Sequence, residues 1–569
     1  MYCSQPPRQT RCTTPSGLAS ITTHFLGPHP LIQHYVTRLN VESTLQGHLG
    51  MGRQGILNHA KAICVLIHNI LTSPGPLYRL SNWIDPIEAE ALGLTEEQKA
   101  AINDDRIARA LDALASERAR GIWFRLALRA IKHWELAVQR VHFDTTTITF
   151  FGEYESSVGE PRIMRGYNKD HRPDLKQLVF GLNITNDGAV PLLHKVWSGN
   201  RTDDNLHKSN FDRLRQLLGR TDFIYVADSK LATTTNMGYV AKYNGKFVTV
   251  LPRSRKEDKE FRHRLRQEPM RWKARLKVPN KRRDEGPPDI FSTPVGGEMR
   301  TQEGYRLTWY RSSQKARQDG EDRKRALQKA EVDLDGLARS LEQSRHWGTP
   351  RAKLTKQIRG ILSRHGCESF LKTCLKRTTI HIPRRLRRGR PAASDSVRLE
   401  VRYGWSLGFE RDEEALKAEA RTDGVFPLVS HNLEKHSRKS ILDIYKYQPY
   451  LEKRFSQIKS DLSIAPVFIK TPKRAAALLD VYFIAIAVGS LLERDLRMAM
   501  RKIGVRELPL FPEGRTTETP TAPRILEAFA PVAWQDFRRG DELICFPLRL
   551  NSLQKKLLGL LDIATSIYR

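Results

Sequence analysis

Cysteine is scarce and unpatterned. The 569 residues hold six, at positions 3, 12, 64, 367, 374 and 545. None forms a CxxC pair, so zinc ribbons and dithiol redox motifs are excluded. Cys367 and Cys374 lie seven apart near His365, a spacing foreign to zinc sites. Sparse thiols fit a reducing compartment. Acid is scarce too: no Asp or Glu precedes Glu42, and the opening is rich in Ser, Thr and Arg. That opening lacks the apolar h-region of a signal peptide, and a disordered basic arm is expected there rather than a transit peptide. Long apolar runs are all but missing. Ala475–Leu492 alone approaches membrane-spanning length, but it carries Asp480 and is flanked by Arg474 and Arg494. It reads as a buried core helix.

What is abundant is positive charge. Lys plus Arg number 95 against 63 Asp plus Glu, a net +32. A surplus of that size repels itself unless a polyanion neutralises it, and nucleic acid is the usual one. The chain is too long for one core, and three or four units are expected.

Residues 1–137 read as a helical, DNA-binding domain. Apolar residues recur at helical spacing in Ile56–Leu71 and Ile107–Trp134, around a Ser73-Pro74-Gly75-Pro76 breaker, without strand alternation. A helical packing or dimerisation domain is the alternative. The pattern changes at Val141. VHFDTTTITFFGEY reads as a strand, and Asn186-Asp187-Gly188 between two apolar runs is a hairpin signal. An amphipathic helix over Asp203–Leu218 follows, then a strand ending at Asp228, a helix and the strand KFVTVL. This order predicts a mixed α/β sheet with helices packed on it over 138–252. Residues 253–283 hold 14 Lys or Arg against 4 Asp or Glu, and Ser313–Ser344 reads as one charged helix. Residues 253–424 are therefore expected to be a basic α+β insertion. The sheet domain resumes over 425–503, and 504–569 form a tail whose last stretch, Leu550–Ile567, is apolar enough to dock.

Three carboxylates stand out. Asp144 lies inside a strand, Asp228 ends an apolar strand where α/β enzymes present functional groups, and Glu452 lies on a late helix. Carboxylate oxygens suit Mg²⁺, which is usually held by few protein ligands plus substrate phosphate. Two such ions about 4 Å apart can drive an in-line displacement at phosphorus. In the segment from Ile444, residues Tyr445, Gln448, Glu452 and Lys459 step by three, four and seven. That predicts one polar stripe beside an apolar stripe of Leu451, Phe455, Ile458 and Leu462. Pro449 must start or kink this helix.

Tyr445, Glu452 and Lys459 match the late signature Tyr, two residues, Arg, three residues, Glu, six residues, Lys. With HFDTTTITFFGEY, GYNKDHRPDLKQLVFGL, YVADSKLAT, PLYRL and QPYLEKRFSQIKSDLSIAPVFIKTPKRAAAL, this chain resembles the DDE transposases of the insertion-sequence-4 group, most of all the insertion-sequence-1634 type. The resemblance runs from about Phe25 to Arg501. It implies a ribonuclease-H-like core with helices on both faces, interrupted before the Glu helix, which suits the 224 residues from Asp228 to Glu452 (452 minus 228). It implies that Asp144, Asp228 and Glu452 hold two Mg²⁺ ions, replaceable by Mn²⁺. Tyr445 and Lys459 would contact DNA phosphate, with Arg454 in the same DNA-facing set. The expected products are cut and rejoined ends of a mobile element, made by a homodimer on double-stranded DNA in the bacterial cytosol. Gln448 departs from the pattern: where the signature has Arg, an amide offers neither charge nor fork. A DNA-binding relic without catalysis, and a nuclease without strand transfer, are the rival readings. Two further DNA-binding candidates come from the residues alone. His171 and Arg172 sit in a polar loop that is either DNA-facing or a plain surface connection. Arg388 and Arg390, in an Arg-Gly-Arg-Pro run, suit a narrow minor groove or a basic linker on phosphate.

Overall fold

The computed structural model describes all residues except 1–19, 50–54, 117–120, 153, 155–160, 170–171, 202–205, 280–285, 343–348, 386–396, 463–468, 470, 540–541 and 569. The chain is mixed α/β and divides into two compact units. One joins residues 1–248 to 443–569; the other is 249–442.

The first unit is built on strands β2 (Arg140–Phe150), β3 (Lys176–Thr185), β4 (Pro191–Ser198), β5 (Ile224–Ala227) and β6 (Lys246–Val250). They are ordered β4-β3-β2-β5-β6. β2, β3 and β4 pair antiparallel, while β2, β5 and β6 run parallel. A meander thus comes first, and two helical crossovers, His207–Leu218 and Thr234–Lys242, then add the parallel strands. The β3–β4 turn is the expected hairpin. Gly188 takes φ +80 and Ala189 φ +53. A Cβ on Gly188 would lie 2.9 Å from Cβ and Cγ of Arg494, so backbone angle and space both demand glycine.

Pro472–Ile503 forms a 32-residue helix that is long and apolar enough to cross a membrane. Its most apolar stretch is 89% buried within the protein, and it serves as the unit's core helix. The N-terminal part supplies helices such as His59–Thr72 and Asp104–Leu114, which pack on it. One expectation fails here. The N-terminal part is not free of strands: Ser20–Phe25 is β1, and the tail contributes β14 (Ala533–Arg539) and β15 (Glu542–Phe546). They form a sheet ordered β1-β14-β15, with Ser20 opposite Arg538 and Phe25 opposite Ala533. SITTHF is rich in β-branched residues, but its partner lies more than 500 positions away, beyond any local pattern. The late helix breaks at Pro449, as that proline required. Arg438–Tyr445 ends, a turn intervenes, a second helix spans Pro449–Ser456, and a π turn covers Gln457–Asp461. Proline at the first helical position cannot take part in the preceding ladder, so the helix restarts there.

The second unit has β7 (Trp272–Val278), β8 (Asp289–Pro294), β9 (Met299–Arg300), β10 (Arg306–Ser312) and β13 (Val425–His431) in one antiparallel arrangement, with β10 central to β13, β8 and β9. Among the described residues, β11 (Leu371–Arg385) and β12 (Val397–Arg411) pair only with each other. The expected charged helix is present as Ser313–Glu342.

Candidate active site

Asp144 and Asp228 are brought together by register. On the parallel strands β2 and β5 the last partners are Phe143 and Ala227, and each aspartate follows directly. Adjacent strands lie about 4.8 Å apart, so the two half-buried carboxylates are neighbours at the carboxyl end of the parallel pair. The Asp144 carboxylate accepts from the Thr145 N–H at 2.7 Å, and the Asp228 carboxylate from the Lys230 N–H at 3.1 Å.

Glu452 arrives on the Pro449–Ser456 helix, which packs on β2. Its carboxylate is exposed in the first turn. Gln448, just before Pro449, fixes where that helix begins. Its Nε2 donates to the Phe143 carbonyl at 3.1 Å, and its Oε1 lies 3.0 Å from Nδ1 of buried His142. The helix bearing Glu452 is therefore tied to the two residues before Asp144.

Tyr445 reports on all three acids. Burial pushes its phenol well above the ordinary range, and the charges of Asp228, Glu452 and Asp144 push it further. The Tyr225 phenol, below the sheet ends, is raised first by burial and then by Asp228 and Asp144. Among the described residues no three His, Cys, Asp or Glu side chains converge tightly enough to enclose one ion. The arrangement is of neighbouring hard-oxygen donors, which fits ions held by one or two carboxylates each and completed by water and phosphate.

The remaining candidates divide sharply. Gln448 is buried with both ends of its amide engaged, so it is not presented to a phosphate. Arg454 is also buried. Its guanidinium donates to the carbonyls of Ala189 (3.1 Å) and Gly188 (3.0 Å) and to Gln457 (2.9 Å), and pairs with Glu493 at 2.9 Å. It clamps the β3–β4 turn to the Glu452 helix, and its donors are not turned outward to DNA. The expected polar stripe fails for the same reason: it runs through a helix break and a π turn, and Gln448 faces inward. Lys459 is half-buried in that π turn. Arg172 is exposed and paired with Asp174 at 2.7 Å. His171, Arg388 and Arg390 lie outside the described residues.

One residue of the site was not singled out from the sequence. Lys169 places its ammonium 3.4 Å from Asp144 Oδ1, while donating to the Thr145 carbonyl at 2.7 Å and hydroxyl at 3.0 Å. It sits in the same polar loop as His171 and Arg172. The signal was a basic residue in a loop flanked by glycine, but nothing local tied it to Asp144. The loop is held by Gln177, whose Nε2 donates to the carbonyls of Tyr167 (3.0 Å) and Gly199 (2.8 Å).

Residues 21–128 match the profile of a domain of unknown function, DUF4277. No curated protein matches the chain. Among solved structures, the chain is similar to the piggyBac transposase in its synaptic complex with hairpin DNA. The identity is 12%, with a TM-score of 0.29, over 51% of this chain and 61% of that one. The chain thus spans under two thirds of that protein's length, and a superposition so loose says nothing of mechanism.

Proposed function

We propose that this chain is a DDE-type DNA transposase, of the insertion-sequence-4 group and its 1634 type, with a ribonuclease-H-like core in the first unit. The observation that carries the reading is the meeting of Asp144 and Asp228 at adjacent parallel strand ends, beside a helix that Gln448 ties to His142 and Phe143 and that bears Glu452. The mixed sheet with its first strand in the middle, and a chain charge of +32, support it. The N-terminal helices would bind the element's ends, as a homodimer pairing two of them.

The three carboxylates would hold two Mg²⁺ ions, which supply activation of the attacking oxygen and stabilisation of the leaving one. The protein's own groups do the rest. Tyr445, kept protonated, retains an O–H that it can donate to a phosphate oxygen. Lys459 adds a cation for the backbone. Gln448 and Arg454 hold the Glu452 helix against the sheet. Hydrolysis at the element's end frees a 3′ hydroxyl, which then attacks a target phosphate.

The test is to change Asp144→Asn, Asp228→Asn and Glu452→Gln singly, and to follow Mg²⁺-dependent cutting of DNA carrying the inverted repeats that flank the coding region. Each variant should bind that DNA and fail to cut it. Wild type and variants equally inert would assign the chain to DNA-binding relics. Cutting without joined products would make it a nuclease.

A further inference from the structure

β11 and β12 pair without a break from Leu371 opposite Arg411 to Arg385 opposite Val397. Fifteen residues at about 3.4 Å each make a ribbon roughly 50 Å long. Its base is anchored. Leu371 belongs to the buried cluster of Leu327, Leu334, Ile358 and Leu362, and Leu375, Leu407 and Phe409 pack against it. The Trp405 indole donates to the Thr349 carbonyl at 3.0 Å. Past Trp405 the face bearing Leu399 and Tyr403 is open, at 61% and 52% accessible, and on the other face Arg384 and Arg398 are exposed while Glu400 and Arg402 are half-buried. A two-stranded ribbon is marginal in water on its own, so one this long is expected to have a partner.

Charge says which. Residues 371–411 hold 11 Lys or Arg against three Asp or Glu, a surplus of eight. Paired residues share a face, so Arg384 and Arg398 stand together, with Arg402 and Lys376 on the same side. Glu400, on that face too, holds Arg384 at 2.9 Å and Arg402 at 3.1 Å, which orders two guanidinium groups along the ribbon. B-DNA's major groove admits a two-stranded ribbon, and arginine is the side chain best suited to guanine edges and phosphates there.

We infer that the β11–β12 ribbon is a DNA arm, laying its Arg384–Arg398–Arg402 face in the major groove. This rests on the reading that the substrate is DNA. It adds a binding element remote in sequence from the carboxylates.

The experiment uses the full chain and a mixed-sequence 30-base-pair duplex, with affinity measured by fluorescence anisotropy between 50 and 200 mM salt. The triple variant Arg384→Ala, Arg398→Ala, Arg402→Ala should bind at least about tenfold more weakly. Its slope of log affinity against log salt should be shallower by about 0.9 for each phosphate the protein no longer neutralises. The triple Arg→Lys variant should recover most of that slope, which separates missing charge from a misfolded ribbon. A triple Ala variant that binds with wild-type affinity and slope overturns the inference. So does a wild-type dimer that Val401→Ser and Tyr403→Ser turn into a monomer while duplex affinity stays unchanged, since the ribbon is then an interface between copies. If the wild type binds duplex steeply but never cuts in Mg²⁺, the transposase reading fails and the result for the arm still stands.

Discussion

The Gln448 side chain bridges His142 and Phe143, the two residues before Asp144. Its geometry also fixes a proton. The Phe143 carbonyl can only accept, so the Gln448 NH₂ faces it and the amide oxygen faces His142. The His142 Nδ1 must therefore carry the hydrogen. Where the resembling family's signature has arginine, this chain uses a neutral residue as a peg that sets the Glu452 helix against the strand of Asp144.

Removing the peg should cost both stability and cutting. In Gln448→Leu, the Phe143 carbonyl and the His142 N–H lose their partners in a buried setting, at about 1–3 kcal/mol each before relaxation. Urea unfolding should show a loss of roughly 2 kcal/mol or more. Cutting should fall at least tenfold while duplex affinity stays within about twofold. Unchanged cutting would show that Gln448 does not position Glu452.

The parts legible in the sequence were those encoded locally. The β3–β4 hairpin announced itself by Asn186-Asp187-Gly188, the core helix by its apolar run, and the Ser313–Glu342 helix by its period. Asp144 stood out as a charge inside a strand, and Asp228 as a carboxylate closing an apolar one. The parts not legible depend on distant partners. β1 pairs with β14 across the whole chain, Lys169 meets Asp144 only after a loop folds back, and Arg454 turns inward because Glu493 and the Gly188 carbonyl wait there. Spacing placed Gln448 and Arg454 near Glu452 but could not say that they face the protein.

His142 makes stability depend on pH. Burial pushes its imidazole down to about 4, with the Gln448 bond opposing and Arg140 adding to the shift. An unfolded histidine titrates near 6.5. Between these values the unfolded chain takes up a proton that the folded chain refuses. The contribution is therefore whole above about pH 6.5 and is lost as pH falls towards 4, by at most about 3 kcal/mol. His142→Gln keeps an N–H for Gln448 but takes up no proton. Its stability should fall less steeply from pH 6.5 to 4 than that of the wild type. Some slope should persist, because burial also lowers His29, to about 3, and His68. Parallel curves for the two proteins would refute the assignment.

Gly188→Ala tests the clamp on the hairpin. The new Cβ meets Arg494 at 2.9 Å, and the alanine backbone must hold φ +80. Arg494 is itself held by Asp187 at 2.6 Å, and the Gly188 carbonyl is held by Arg454. With both neighbours fixed, the variant should lose about 1–3 kcal/mol by thermal or urea unfolding. A loss below about 0.5 kcal/mol would mean the turn rearranges freely.

Lys169 stands where a cation is already attracted. Its side chain is 30% exposed, and its ammonium lies 3.4 Å from Asp144 Oδ1, steadied by hydrogen bonds to the Thr145 carbonyl and hydroxyl. A divalent ion approaching the same oxygen meets a like charge and must displace it or share the site. For a partly exposed pair this is worth on the order of 1 kcal/mol, or about fivefold in concentration. Lys169→Met should therefore lower the Mg²⁺ concentration for half-maximal cutting several-fold, whereas Lys169→Arg, which keeps the charge, should leave it nearly unchanged. Both are read from cutting rates across a Mg²⁺ titration at fixed ionic strength. A raised requirement in Lys169→Met would mean that the ammonium orders Asp144 for the ion instead of competing with it.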